Sequence, residues 1–303
     1  MSFRQKDCRI SLYSLRDEFS SSLHPIYHPP AESVTANYPL IMGIVNITPD
    51  SFYDGNQYNS VNQAIDRANE MVEAGVDIID IGGESTRPGA TAVGQNEEID
   101  RVIPIIEQFS KINVHVSIDT SKAEVMKAAV RSGAHMINDV RALQDLEALN
   151  MAAELQVPVC LMHMQGEPRC MQSKPKYHNV VEDVLEFMRQ RIKACETAGI
   201  KRELLCIDPG FGFGKTLAHN LELLNNLEKF SSLDLPVLAG LSRKSMLGAI
   251  TSRPVDQRLA SSLAVALIAM QKGARIIRVH DVAETSDVRQ IFMALEKIAG
   301  HDN

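Results

Sequence analysis

The five cysteines of this 303-residue chain, Cys8, Cys160, Cys170, Cys195 and Cys206, form no C-x-x-C pair, so no redox or metal motif of that kind is present. Cys160 and Cys206 lie in apolar runs and read as reduced core residues of a cytoplasmic protein. Positive charge is scarce as well: 31 Lys and Arg stand against 38 Asp and Glu, and the net charge of −7 excludes the chain as a whole as a nucleic-acid or acidic-membrane binder. No apolar run is long enough to cross a bilayer, since the longest nearly apolar stretch, Leu259 to Met270, is short and contains Ser261 and Ser262. The N-terminus has no secretory apolar region. Arg4, Lys6, Arg9 and Arg16 among serines faintly suggest a transit peptide, but Asp7, Asp17 and Glu18 argue against one. Several chemistries are missing too. Neither Ser85 nor Ser242 sits in a G-x-S-x-G elbow, and His163, His178 and His280 lack metal-ligand spacing. No glycine fingerprint follows the first apolar strand, which weighs against a dinucleotide fold.

What is present is a repeat. The apolar content of 45% is ordinary for a globular chain, and the length allows one large domain or two ordinary ones. Residues 1–38 read as an N-terminal extension, with a short strand or hairpin near Ile10, Leu12 and Tyr13 and a polar, proline-bearing connector from Ser20 to Asn37. From residue 39 to 303 apolar strands alternate with amphipathic helices. Strands are expected at Leu40–Val45, Val76–Ile81, Val114–Ile118, Ala134–Ile137, Val157–Met162, from Leu204, at Pro236–Ala239 and at Arg275–Val279. Two helices carry capping-box spacing, Ser60 with Gln63 and Ser121 with Glu124. Others are expected at about Glu97–Phe109, Leu146–Leu155 and Val180–Ala198, and the last helix carries an apolar series of Val288, Ile291, Leu295 and Ile298. Eight such units predict a (β/α)8 TIM barrel, with an open doubly wound sheet as the alternative.

The polar residues follow the strands. Asn46, Asp50 and Asp54 come after the first, Glu84, Thr86 and Arg87 after the second, and Asp119 after the third. Asn138 and Asp139 follow the fourth, then His163, Asp208, Ser242-Arg243-Lys244, and finally Arg278 and His280. In a barrel these strand ends share one mouth, where active sites of this fold lie. Asp208, Asn138 and Asp119 suit a flat heterocycle with amino and lactam edges, and Arg278 and His280 stand at the usual anion site of the fold. Met162 and Met164 read as core or pocket wall. A divalent cation, if used, would be a Mg²⁺ held by an oxygen such as that of Asn46 together with ligand phosphates.

One stretch, Asp208-Pro209-Gly210-Phe211-Gly212-Phe213-Gly214-Lys215-Thr216, superficially resembles a phosphate loop. That motif wants glycine six positions before the lysine, where Pro209 stands, and its tip here is apolar. The stretch reads better as a flat pocket, with an acid to hydrogen-bond a ring, glycine to admit it and phenylalanine to stack on it.

Met42-Gly43-Ile44-Val45-Asn46-Ile47-Thr48-Pro49-Asp50-Ser51-Phe52 resembles the first signature of the dihydropteroate synthases, a pterin-binding TIM-barrel family. Ile79-Asp80-Ile81-Gly82-Gly83-Glu84-Ser85-Thr86-Arg87-Pro88-Gly89 resembles the second. Six further blocks follow in family order: Ser117 to Thr120, Ile137 to Val140, Met162 to Gly166, the glycine loop, Ser242 to Ser245 and Ile277 to Asp281. Tyr53 and Asn56 depart from the family pattern in the first loop.

The resemblance implies condensation of 6-hydroxymethyl-7,8-dihydropterin diphosphate with p-aminobenzoate, giving 7,8-dihydropteroate and diphosphate by a dissociative, carbocation-like substitution. It implies that Asp119, Asn138, Asp208, Lys244, Met162, Gly212 and Phe213 hold the pterin, with Asp119, Lys244 and Asn46 in catalysis. Asn46, Thr86, Arg87, Arg278 and His280 would take the diphosphate, with Mg²⁺ on Asn46. Phe52, Thr86, Arg87, Pro88, Phe213 and Ser245 would form the p-aminobenzoate site. A homodimer is the family expectation. Two alternatives remain: a methyltetrahydrofolate-type methyltransferase on the same scaffold, and a catalytically silent pterin-binding paralogue.

Overall fold

The computed structural model describes residues 38–47, 57–85, 91–112, 114–167, 171–172 and 175–298. The hairpin and connector expected within residues 1–37 lie outside these residues, as do Phe52, Thr86, Arg87 and Pro88. Among the described residues eight parallel strands are formed: β1 (Leu40–Asn46), β2 (Ile78–Gly82), β3 (His115–Asp119), β4 (Met136–Asp139), β5 (Val159–Met162), β6 (Leu205–Asp208), β7 (Leu238–Ala239) and β8 (Ile276–Val279). Their order is β6-β5-β4-β3-β2-β1-β8-β7, and a parallel bridge between Ile207 and Val237 joins the two ends, so the sheet closes into the expected barrel.

The helices ring it: α1 (Gln57–Glu73), α2 (Gln95–Phe109), α3 (Ala123–Arg131), α4 (Leu146–Leu155), α5 (Val180–Thr197), α6 (Leu217–Asn225), α7 (Ser245–Thr251), α8 (Leu259–Gln271) and α9 (Val282–Ile298). Between strands and helices lies the main core, with Ile41, Ile79, Val116, Ile137, Ile207 and Ile277 from the strands. Phe109 of α2 is wholly buried there, and its truncation to alanine would cost about 3–5 kcal/mol. Helix α1 approaches β1 so closely that a Cβ on Gly43 would stand 2.6 Å from Met71 Sδ.

Side chains alternate along a strand, so each strand sends every second residue into the lumen. Met42, Ile78, Met136, Cys160, Cys206, Leu238 and Ile276 form a separate apolar cluster there, the floor of the barrel. Two residues further along the same strands come Asp80, Asn138, Met162, Asp208 and Arg278, with Ser117 of β3 level with Asp80 in the register. The lumen thus changes from apolar to polar toward the carboxyl ends of the strands, and that step positions the site.

Two local expectations of helix capping are corrected. Helix α1 begins at Gln57, so Ser60 lies within its first turn instead of capping it. Helix α3 begins after Lys122 without a side-chain cap, because the Ser121 hydroxyl donates to Asp139 Oδ1 instead. The Asp145, Asn179 and Thr216 side chains do cap α4, α5 and α6. In α9, Val282, Thr285 and Ser286 turn inward, whereas Ile291, Leu295 and Ile298 are 61%, 54% and 85% exposed. Apolar periodicity marks a helix face that is suited to cover; it does not say that the barrel supplies the cover.

Candidate active site

The polar layer is organised by Arg278. From β8 its Nε donates to Asp80 Oδ2 at 2.7 Å and its Nη2 to Asp119 Oδ2 at 2.7 Å. Asn138 Nδ2 donates to the same Asp80 oxygen at 3.0 Å. Burial works against the Arg278 charge, yet Asp80 and Asp119 outweigh it and hold its pKa above the ordinary value. Burial pushes Asp119 up to about 7; Arg278 opposes this, and Asp80, Asp139 and Glu98 reinforce it. Asp80 is the residue that sequence reasoning passed over. Its signal was an acid inside the apolar run Ile78-Ile79-Asp80-Ile81, at a position whose strand parity points into the lumen.

The glycine loop builds the opposite wall. Asp208 ends β6, and its Oδ1 accepts the Gly210 N–H at 2.7 Å. Gly210, Gly212 and Gly214 have φ of 71°, 81° and 61°, which L side chains rarely adopt. Space forbids a side chain at two of them: a Cβ on Gly210 would stand 1.8 Å from the His163 carbonyl oxygen, and one on Gly214 2.3 Å from that of Gln165. The loop therefore lies against the chain following β5.

Lys215 locks the loop. It is 3% exposed, and its Nζ lies 2.8 Å from His163 Nδ1, 2.9 Å from the Gly210 carbonyl oxygen, 3.0 Å from that of Phe213 and 3.3 Å from that of His163. This amine faces its own loop, unlike the lysine of a phosphate loop, which reaches the ligand. Burial lowers its pKa well below the ordinary lysine value. His163 is likewise committed inward, its ring meeting Phe187 edge-on at 4.8 Å between centroids.

Lys244, just ahead of α7, covers the loop from the other side. Its Nζ donates to the Phe211 carbonyl at 2.5 Å and lies 4.2 Å from the centre of the Phe213 ring. A Cβ on Gly212 would come within 3.0 Å of Lys244 Cδ, so the lysine stem rests on bare backbone. Burial lowers Lys244 to about 8, with Asp208 opposing. Burial also raises Asp208, against the Gly210 N–H and the charge of Lys244. Met162 is buried beside Val140, Met164 and Met171, with Phe213 packed on the group.

At the β1–β8 side of the mouth, Asn46 is half-buried beside Gly82, where a Cβ would stand 3.1 Å from Asn46 Oδ1. His280 Nδ1 lies 3.0 Å from Ser242 Oγ, which also accepts the His280 backbone N–H at 3.2 Å. Burial, then Arg278 and Arg243, lower His280 to about 4, so the ring is neutral at pH 7. Arg243 (φ 56°) is held by a two-point pairing with Asp281 at 2.9 and 2.5 Å, which fixes the turn that presents Lys244. Behind β2 and β3, Lys122 joins Glu84 to the buried Glu98.

The described residues therefore gather Asp119, Asn138, Asp208, Lys244, Met162, Gly212, Phe213 and Arg278 into one mouth, with Asn46 and His280 at its rim. Ser245 is the exposed first residue of α7. Among the described residues no group of three or more His, Cys, Asp or Glu could hold a metal ion. The Asn46 amide oxygen is a hard donor of the kind that suits Mg²⁺ when phosphate oxygens complete the coordination.

The sequence profile of the pterin binding enzymes matches residues 42–280. A dihydropteroate synthase of Haemophilus influenzae is 54% identical over 257 residues, covering 84% of this chain and 94% of that protein. The structure of a Xanthomonas albilineans dihydropteroate synthase with 4-aminobenzoic acid is similar at a TM-score of 0.81 and 50% identity, covering 86% of this chain and 94% of that one. Another from the same organism, in complex with 7,8-dihydropteroate, gives a TM-score of 0.79 at 47% identity over the same shares.

Proposed function

This chain belongs to the pterin binding enzymes, and from that premise we infer that it acts as a dihydropteroate synthase, a transferase that condenses 6-hydroxymethyl-7,8-dihydropterin diphosphate with p-aminobenzoate. The observation that carries the reading is the Arg278 bridge between Asp80 and Asp119, beside Asn138, Asp208 and Lys244. Ionisation of a carbon–oxygen bond needs negative charge near the carbon and positive charge at the departing oxygens. Asp119 and Arg278 supply the two one hydrogen bond apart.

The pterin roles follow from atoms still free to act. Asn138 spends its N–H on Asp80, which leaves the amide oxygen as an acceptor for a ring donor. Asp208 spends Oδ1 on Gly210, which leaves Oδ2, 3.9 Å from where a Cβ on Gly240 would stand, as the acceptor for the ring. Lys244 offers a donor above Phe213, and Met162 and Gly212 would wall the ring. Arg278 and the neutral His280 would receive the diphosphate. Asn46 would hold Mg²⁺ together with that diphosphate, and the ion would supply charge neutralisation there. The p-aminobenzoate site is assigned to Phe52, Thr86, Arg87, Pro88, Phe213 and Ser245 on family resemblance, with Thr86 and Arg87 also reaching the diphosphate.

A homodimer is supported by the apolar side chains left uncovered on α6 to α9, among them Leu221, Ile250, Ile268, Ile291 and Leu295. Sedimentation velocity tests it, and a monomer at micromolar concentration would refute it. The buried free thiols Cys160, Cys195 and Cys206 suit a reducing cytoplasm, and among the described residues no helix is long and apolar enough to cross a membrane. The deciding assay follows diphosphate and dihydropteroate with both substrates and Mg²⁺, with and without p-aminobenzoate. Formation of dihydropteroate is the expected result; pterin binding without product would leave a silent paralogue.

A further inference from the structure

Asp80 is itself assigned to no substrate, yet two residues that are, Asn138 and Arg278, are anchored on it. It stands in the middle of β2, fully buried, and one oxygen receives both the Asn138 amide N–H and the Arg278 Nε–H. Both donors are sensitive to orientation. An amide that donates to Asp80 must turn its carbonyl the other way, whereas a flipped amide would present N–H to the donors of the ring. A guanidinium held through Nε by one carboxylate and through Nη2 by another has its plane fixed.

We infer that Asp80 is a positioning residue for the reaction: it sets which edge of the Asn138 amide the pterin meets and where the Arg278 guanidinium stands as the diphosphate departs. The inference rests on the reading that Asn138 and Arg278 receive the pterin diphosphate.

The second Asp80 oxygen and the hydroxyl of Ser117, its neighbour in the β2–β3 register, are buried with no hydrogen-bond partner. An asparagine at position 80 keeps the shape, accepts the same two N–H groups through its amide oxygen, and turns its NH2 toward that hydroxyl. Charge is then what the substitution removes. The charged groups acting on Asp119 are Arg278 from β8, Asp80 from β2, Asp139 from β4, Glu98 from α2 and Lys244 from the turn before α7. Without the Asp80 charge, Asp119 loses a repulsive neighbour and shares Arg278 with no other carboxylate, so it ionises at lower pH.

The test is Asp80→Asn in the full chain, with steady-state kinetics for each substrate from acid to neutral pH and thermal unfolding alongside. The expected result is a fall of roughly 10- to 100-fold in kcat/KM for pterin diphosphate, the scale of a lost charge-assisted hydrogen bond. The KM for p-aminobenzoate stays within about twofold and the acid limb of kcat/KM moves to lower pH. In an Arg278→Met background the same change costs much less, because the partner it positions is gone. An active wild type whose Asp80→Asn form keeps wild-type kcat/KM would overturn the inference. So would equal losses on both substrates with an unmoved acid limb, the mark of a purely structural residue. A wild type that forms no dihydropteroate would instead overturn the functional reading. If Asp80→Asn does not fold, Asp80→Ser, which leaves room for water, carries the same measurements.

Discussion

Replacing Lys215 with methionine removes a buried amine, whose pKa burial lowers well below the ordinary lysine value, while nearly filling its space, so the loss is polar more than volumetric. Four acceptors surround the Nζ at 2.8 to 3.3 Å. Hydrogen bonds to a charged group contribute about 1.5–3 kcal/mol each, but these four share one donor and do not add. The Gly210 carbonyl keeps a second partner in the Phe213 N–H at 3.1 Å. Part of the loss is also returned, since burying an ammonium carries a penalty of several kcal/mol that the variant no longer has. The net expectation is destabilisation of about 2–4 kcal/mol, which in a domain of this size lowers Tm by roughly 5–15 °C. Differential scanning calorimetry of wild type, Lys215→Met and Lys215→Ala measures this, and titration with pterin diphosphate shows whether the loosened loop also binds more weakly. Because Lys215 is a lysine outside a phosphate loop, its replacement by alanine is expected to leave activity within a few-fold, and the structure adds a cost in stability. A Tm within about 1 °C of wild type would refute the locking role.

Asp119→Asn keeps the shape of the mouth and removes an anion, so the chemical step in single-turnover experiments should slow by on the order of 10²–10³ while pterin affinity changes little. Since Asp119 is raised to about 7 in the free enzyme, kcat/KM for the pterin should climb as pH rises toward that value, and this limb should vanish in the variant. Asp208→Asn turns an acceptor into a donor facing the N–H groups of the ring, and pterin stabilisation in a thermal-shift titration should disappear; retained stabilisation would exclude the contact. His280 titrates at about 4 in the fold against 6.5 in a free chain, so the unfolded state binds more protons between those values. Its contribution to stability is complete above the upper value and is lost as pH falls through the window. A His280→Asn variant should therefore lose less stability on acidification, and an unchanged slope would show that the ring is not buried neutral.

How far the sequence could be read depended on what kind of constraint each residue met. Strand order and barrel closure follow from alternation and spacing, which are properties of the chain itself, and every expected strand lies within a few residues of its place. The strand-end residues were legible for the same reason, because parity decides which side chain enters the lumen. Lys215 was not legible, since its role depends on His163, some fifty residues earlier, approaching from another strand end. Asp80 was hidden differently: its partners come from β4 and β8, and only closure of the barrel brings them together. Ser121 shows the limit of local motifs. Its spacing to Glu124 fits a capping box, but its hydroxyl donates its hydrogen bond to Asp139 on the next strand. The outward stripe of α9 shows that periodicity records a surface to be covered without naming the cover.

The apolar floor of the lumen bears on which nucleophile reaches the activated pterin. Met42, Ile78, Met136, Cys160, Cys206, Leu238 and Ile276 close the barrel beneath the polar layer, so solvent cannot arrive from below. On the proposed dissociative path, a cation formed above that floor would be trapped from the mouth, where the aromatic amine would stand across the route of water. Such an arrangement would favour amine transfer over hydrolysis by topology as much as by reactivity. The quantity to watch is a partition ratio, the dihydropteroate formed per diphosphate released. It should approach one at saturating p-aminobenzoate, and polar substitutions that open the floor, such as Met42→Ser, should lower it.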